Sequence, residues 1–230
     1  VSFADLSRRY DLTRSTIVVR EDGPRVAIEL DHVRDINALV DQMTPEDFGP
    51  DERLPYWAVL WPAALDLARL VLELPAAPGP TLELGAGLGL VSLVLAHSGQ
   101  AVVASDYEPD ALALLDHNAA RAGLSVDTRR VDWREVEAEH PVLRRCFQRI
   151  VGSDLVYEAR NIEPLAQAID FFAGDRAEVV VADPGRPYFP ALTQALVAKG
   201  FAVEPAEPRS GVLRAARRPV GLLGQGSGQR

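Results

Sequence analysis

Glu83-Leu84-Gly85-Ala86-Gly87-Leu88-Gly89 joins one carboxylate to three glycines at alternate positions. Glycines so spaced allow a tight turn and let a ligand approach the backbone. A dinucleotide site uses G-x-G-x-x-G/A and sets its pyrophosphate on the N-terminus of the next helix. Here the frame is G-x-G-x-G, and Leu90 stands where the third small residue would be. Glu83 also puts negative charge beside the ligand, which repels phosphate and attracts a cation. S-adenosylmethionine meets both conditions, with an ammonium, a sulfonium and a ribose but no phosphate. A nicotinamide dinucleotide and a tight turn without any ligand are the competing readings. Further along, Asp106 closes an apolar run, where a carboxylate can accept from both ribose hydroxyls or cap the following helix. Asp132 can accept from an adenine amino group, and Trp133 can flank the base or simply pack in the core.

These residues need a scaffold that brings strand ends together. Apolar runs at Thr81–Leu84, Gln100–Asp106, Val126–Trp133, Gln148–Ser153 and Glu178–Asp183 read as strands. Between them lie helical patterns at Leu88–His97, Asp110–Arg121, Asn161–Phe172 and Pro190–Lys199. Phe201–Glu207 and Gly211–Arg218 read as a final antiparallel pair. Alternating strands and helices predict an α/β fold, a Rossmann-like, seven-stranded, mainly parallel sheet with helices on both faces. Such sheets bind ligands beyond the carboxyl ends of their strands. Upstream, residues 15–31 read as two strands about Asp22-Gly23-Pro24, and Asp35 caps a helix carrying Ile36, Leu39, Val40 and Met43. Pro62 starts a helix behind the aromatic run Tyr56-Trp57-Ala58-Val59-Leu60-Trp61. The expected organisation is an N-terminal extension over 1–55, a catalytic domain over 56–220 and a disordered Gly/Gln/Ser-rich tail over 221–230.

Composition narrows the function. The 230 residues are 47% hydrophobic and 25% charged, which is globular. Lys+Arg is 24 against 33 Asp+Glu, a net charge of −9, so nucleic acid is not an expected partner. Cys146 stands alone and the four histidines are scattered, so neither a disulfide nor a metal site is expected. Cys146 reads as a packed thiol, His97 and His117 as surface or capping residues, and Arg209, Arg214, Arg217 and Arg218 as a solvated strand face. No apolar stretch approaches the ~20 residues of a membrane span. The expectation is a cytoplasmic protein without a membrane partner, acting as a monomer.

Taken together, LELGAGLGL, ASDYEP and VDW resemble the first, second-strand and adenine-side motifs of class I, seven-β-strand S-adenosylmethionine-dependent methyltransferases. The resemblance covers about residues 55–218. PYWAVLWPAA and Ser153-Asp154-Leu155-Val156-Tyr157 resemble a narrower branch marked by D-x-x-Y after the fourth strand. That branch holds many protein-lysine methyltransferases, including one acting on electron-transfer flavoprotein, and relatives of nicotinamide N-methyltransferase. The N-P-P-Y pattern of enzymes methylating adenine or glutamine nitrogens is absent, as is the double-glutamate loop of arginine methyltransferases. The resemblance implies S-adenosyl-L-methionine as cofactor, held by Trp61, Glu83, Gly85, Gly87, Gly89, Asp106, Asp132, Trp133 and Ser153. It implies catalytic roles for Asp154, which would hold the incoming amine, and Tyr157, which would line the channel. Asp154 as a helix cap beside a packed Tyr157 is the alternative. Asp183-Pro184-Gly185-Arg186 resembles a D-P-G-R turn of some members, with Arg186 and Tyr188 as a substrate rim or a solvated turn. The acceptor is expected to be a protein lysine, with a small-molecule amine or hydroxyl as the alternative. A fold that keeps the site but only binds is opposed by the acidic residues at three strand ends.

Overall fold

The computed structural model describes residues 1–41, 54–204 and 211–217. Met43, Arg209, Arg218 and the 221–230 tail, each assigned a place from sequence, lie outside the described residues.

Seven strands form one sheet: β3 (Thr81–Leu84), β4 (Val102–Asp106), β5 (Asp127–Arg130), β6 (Phe147–Ser153), β7 (Ala173–Ala182), β8 (Phe201–Val203) and β9 (Val212–Arg217), in the order β5-β4-β3-β6-β7-β9-β8. Strands β3 to β7 are parallel to their neighbours, and β9 runs antiparallel to both β7 and β8. The order reverses at β3, with β4 on one side and β6 on the other. A crevice therefore opens beyond the carboxyl ends of these three strands. The third strand is shorter than its apolar run, which leaves Asp132 and Trp133 beyond the sheet, while β7 starts earlier, directly after its preceding helix.

The helices are α3 (Pro62–Val71), α4 (Leu90–His97), α5 (Pro109–Arg121), the short α6 (Val136–Glu139), α7 (Ile162–Phe172) and α8 (Phe189–Ala198). Pleat alternation feeds two cores. Val151, Val180 and Ala182 pack with α3, α4 and α5, whereas Leu82, Leu84, Ile150, Val179 and Val181 pack with α7 and α8. This alternation turns Glu83, between Leu82 and Leu84, toward α4.

The N-terminal segment shares the first of these cores. Its elements are α1 (Phe3–Arg9), the antiparallel hairpin β1 (Leu12–Arg20) and β2 (Val26–Val33), and α2 (Ile36–Val40). Helix α1 starts at a capping box in which Ser2 Oγ accepts from Asp5 N and the Asp5 carboxylate accepts from Ser2 N. Leu6, Val19, Val26, Ile28 and Leu30 are buried against the helices of the sheet. The polar fastening is to α5. Asn118 extends the edge of β2, accepting from Asp31 N at 2.8 Å and donating to Asp31 O at 3.0 Å. The Asp31 carboxylate takes Arg14 in two bonds of 2.8 and 3.0 Å and lies 2.9 Å from His117 Nε2. These partners hold Asp31 down to a pKa of about 2, with the Arg14 hydrogen bonds the largest cause. His117 is thus a half-buried, partnered residue rather than a free surface one, since its ring also stacks on Phe3 at 3.4 Å. Arg217 is not a solvated strand residue either: it is buried and donates to Asp170 O at 2.6 Å. Cys146, by contrast, is exposed rather than packed, because its chain leaves the sheet surface just before β6.

Candidate active site

The glycine turn bridges β3 and α4. Gly87 has φ +51°, and a Cβ there would lie 3.2 Å from the Trp57 carbonyl oxygen. Gly89, the N-cap of α4, has φ +76°, and a Cβ there would meet Leu115 Cδ1 at 2.3 Å. Both positions therefore need glycine for backbone and space alike. The turn is tied to β4 by Ala86 N donating to Ser105 O at 2.9 Å.

Glu83 fastens the same turn from below. Its Oε2 accepts from Ser92 N at 2.8 Å and Ser92 Oγ at 2.5 Å, in the first turn of α4. It is buried and is not among the residues that line the cavity described below. Pleat parity, not charge attraction, sets its direction. Burial pushes its pKa up to about 7 despite the two Ser92 bonds.

Above the turn lies a cavity of about 260 Å³. Asp106 reaches it from the end of β4. Its Oδ2 accepts from Gly87 N at 2.8 Å and its Oδ1 from Glu108 N at 3.0 Å. Burial raises its pKa, opposed by the backbone N–H groups of Glu108, Gly87 and Tyr107. A carboxylate has about four acceptor sites, so the three backbone donors leave about one for a ligand hydroxyl. Gly85, Gly87, Gly89, Trp61, Trp133, Ser153, Asp154, Tyr157 and Arg186, all singled out from sequence, also line the cavity. Tyr107 and Leu155 line it too and were not singled out from sequence, although both directly follow residues that were.

An adjoining cavity of about 170 Å³ shares Gly85, Tyr107, Trp133 and Tyr157 and is lined further by Asp132 and Arg134. Asp132 is engaged by its neighbour: Oδ1 accepts from Arg134 Nε at 2.9 Å and Oδ2 from Nη2 at 2.7 Å. Those bonds hold its pKa below the ordinary range. Tyr188 is not brought to either cavity. It is exposed at the N-cap of α8, two residues after Arg186.

The far wall carries the charged residues. Asp154 follows β6 with φ +59°, uncommon for a residue with a Cβ, and its N–H donates to Ala182 O at 2.9 Å. Helix α7 has Asn161, not Asp154, at its N-cap. The Asp154 side chain is only 4% exposed and its Oδ1 lies 2.6 Å from Arg186 Nη1. Neither Asp154 oxygen has a hydrogen bond of good alignment, so the contact to Arg186 is an ion pair. Burial raises the Asp154 pKa, while Arg186 and the Ala63 N–H at the start of α3 pull it back. The mouth is aromatic. Tyr56 meets Trp61 at 5.8 Å and Tyr157 at 5.2 Å, both edge-on, and Trp61 Nε1 donates to Tyr56 O at 2.9 Å. Burial lifts the Tyr157 pKa, so its hydroxyl stays protonated at neutral pH.

Among the described residues, no group of three or more His, Cys, Asp or Glu converges as a metal site, and no helix is long and apolar enough to cross a membrane.

Comparison with known proteins agrees with this arrangement. Residues 58–187, more than half of the chain, match the profile of a family described as lysine methyltransferase. The electron transfer flavoprotein beta subunit lysine methyltransferase of Mus musculus is 29% identical over 151 residues, covering 59% of this chain and 52% of the relative. The protein of the same description from Danio rerio is 29% identical over 142 residues, with the same 59% and 52% coverage. The chain thus spans about half the length of the curated relatives it matches. Among solved structures, a TehB-like SAM-dependent methyltransferase from Corynebacterium glutamicum superposes with a TM-score of 0.54 at 18% identity, covering 67% of this chain and 87% of that one. A SAM-dependent methyltransferase from Aquifex aeolicus gives a TM-score of 0.54 at 14% identity, covering 79% and 98%. At these identities the structures establish the fold, that of a class I methyltransferase.

Proposed function

The chain belongs to the lysine methyltransferase family, and from that premise we propose that it transfers a methyl group from S-adenosylmethionine to the side-chain nitrogen of a protein lysine. The observation that carries the proposal is a buried carboxylate, Asp154, on the wall of the cavity that the glycine turn and Asp106 open onto. The residues present fit the cofactor: a turn too close to its neighbours for any Cβ, a strand-end carboxylate with acceptor capacity left, and indoles in the cavity lining. Gly85, Gly87, Asp106 and Ser153 would hold it, with Trp61 and Trp133 against its flat and apolar parts. When bound, S-adenosylmethionine supplies a methyl carbon on a sulfonium, whose departure leaves a neutral thioether.

The chain must deliver an amine with a free lone pair. A lysine ammonium has a pKa of about 10.4, so neutral pH leaves few amines deprotonated. Desolvation favours the neutral amine, and the apolar mouth of Tyr56, Trp61 and Tyr157 provides it. Asp154 would orient the nitrogen and take its proton, and its burial raises its basicity toward that task. The tyrosine rings would flank the aliphatic stem and the cationic head.

The relatives' descriptions make electron transfer flavoprotein β subunit the first acceptor to try. The same proposal has the enzyme working as a single chain, since one chain lines the whole cavity, and in the cytoplasm, where an exposed free Cys146 stays reduced. The test is Asp154→Asn. Methyl transfer should be lost while S-adenosylhomocysteine affinity stays within about threefold. Loss of that affinity instead would make Asp154 a cofactor residue. One observation favours a small-molecule acceptor: both Asp154 oxygens are closed to solvent. Label appearing in metabolites rather than protein would move the reading there.

A further inference from the structure

Arg186 was expected on the substrate rim, yet its guanidinium is already committed. It follows β7 in the turn Asp183-Pro184-Gly185-Arg186, whose shape Asp183 dictates. Asp183 Oδ1 accepts from Gly185 N at 2.9 Å and Arg186 N at 2.6 Å, and its Oδ2 accepts from Arg186 Nη1 at 3.0 Å. The same Nη1 lies 2.6 Å from Asp154 Oδ1, and the guanidinium carbon sits 5.8 Å from the Trp61 ring centroid. Three elements thus converge on one cation: the loops after β6 and β7 and the aromatic approach to α3.

A mobile latch that the acceptor displaces is the obvious reading of an arginine in such a place. The burial of Asp183 argues against it. Its side chain is 0% exposed, so pulling Arg186 away would leave its Oδ2 without that donor and without water. Two carboxylates share the one guanidinium, which leaves the cluster with one net negative charge.

We propose that Arg186 is a positioning residue for the acceptor nitrogen: a fixed counter-ion, anchored by Asp183 and laid over Trp61, that holds Asp154 charged and in place through Oδ1. This rests on the reading of Asp154 as the residue facing the acceptor. The groups facing Asp154 are Arg186, Asp183 and the Ala63 N–H. Of these, only Arg186 carries positive charge. It favours the carboxylate of Asp154 and disfavours an ammonium beside it. Removing it raises the proton affinity of both, so both effects move activity toward higher pH.

The experiment compares wild type, Arg186→Lys and Arg186→Met. Methyl transfer from labelled S-adenosylmethionine into a cell lysate is followed between about pH 6 and pH 10, with protein and soluble metabolites counted separately. The expected result is a rising limb displaced upward by about one pH unit or more in Arg186→Met, with Arg186→Lys recovering most of it. S-adenosylhomocysteine affinity, read from tryptophan fluorescence, should change less than about threefold. Thermal unfolding supplies a readout without turnover. Without Arg186 the folded-state pKa of Asp154 rises further above its unfolded value, so stability is lost as pH rises through it. Arg186→Met should therefore lose more stability at pH 8 than at about pH 4, the ordinary carboxylate value, and adding Asp154→Asn should remove the difference. An unmoved limb with a lower rate, or a stability loss independent of pH, overturns the proposal. Label confined to metabolites contradicts a lysine acceptor and still lets the displaced limb decide the role of Arg186. A wild type that labels neither fraction leaves the decision with the unfolding measurements.

Discussion

Glu83→Gln separates a fastening role from a cofactor-contacting one. The carboxylate lies under α4, bonded to Ser92, with its pKa lifted from 4.5 to about 7, chiefly by burial. Each pKa unit is worth about 1.4 kcal/mol, so the ionised form is about 3 kcal/mol less favourable in the fold than in the unfolded chain. The sign follows from proton counting. Between the two pKa values the folded protein holds a proton that the unfolded chain has released. Stability is therefore fully present below about pH 4.5 and lost as pH rises through about 7. Gln keeps an oxygen for Ser92 and cannot ionise. Relative to wild type, Glu83→Gln should gain about 2–3 kcal/mol between pH 5 and pH 8, on the order of 5–10 °C in Tm for a chain of this size. Thermal unfolding at the two pH values reads this directly. S-adenosylhomocysteine affinity should stay within about threefold. An unchanged pH response would mean that Glu83 does not carry a proton at neutral pH. A loss of affinity beyond about tenfold without a stability change would return Glu83 to direct attraction of the cofactor's cation.

Gly89→Ala places its Cβ 2.3 Å from Leu115 Cδ1 at φ +76° and should cost about 2–4 kcal/mol by chemical denaturation, from overpacking and backbone strain together. Gly87→Ala is milder in packing, at 3.2 Å from the Trp57 carbonyl, and should weaken S-adenosylhomocysteine binding at least about tenfold by calorimetry. Asp31→Asn should lower stability at pH 7 by about 1–2 kcal/mol, discounted because Arg14 is half exposed. That loss should fade as acid unfolding is followed from about pH 4 toward pH 2, since a depressed carboxylate pKa stabilises above the unfolded value and loses its effect as pH falls. Tyr10→Phe removes a 2.5 Å bond to Asp110 and should cost about 1–2 kcal/mol, read by urea denaturation.

Strand-end chemistry was legible in the sequence because it is local. A carboxylate after an apolar run, a glycine turn before a helix and Pro62 at a helix start each follow from a few adjacent residues. The alternation of strands and helices then located Asp106, Asp154 and Arg186 at one edge of the sheet. Direction and partnership were less legible. Period-two alternation set Glu83 opposite Leu82 and Leu84, but which face α4 covers depends on the crossover. The ion pair of Asp154 with Arg186 joins two loops brought together by the pairing of β6 with β7. The stacking of Phe3 on His117 and the burial of Arg217 depend on contacts equally far apart in the chain. Helix α1 did carry a signal in the sequence, the Ser2/Asp5 capping box.

The most direct test of the account is methyl transfer from labelled S-adenosylmethionine to purified electron transfer flavoprotein β subunit, with wild type and Asp154→Asn side by side and the product mapped by peptide mass spectrometry. The expected result is label on a lysine with wild type and none with Asp154→Asn, while both proteins bind S-adenosylhomocysteine. Label on a residue other than lysine, or equal labelling by the two proteins, would contradict it.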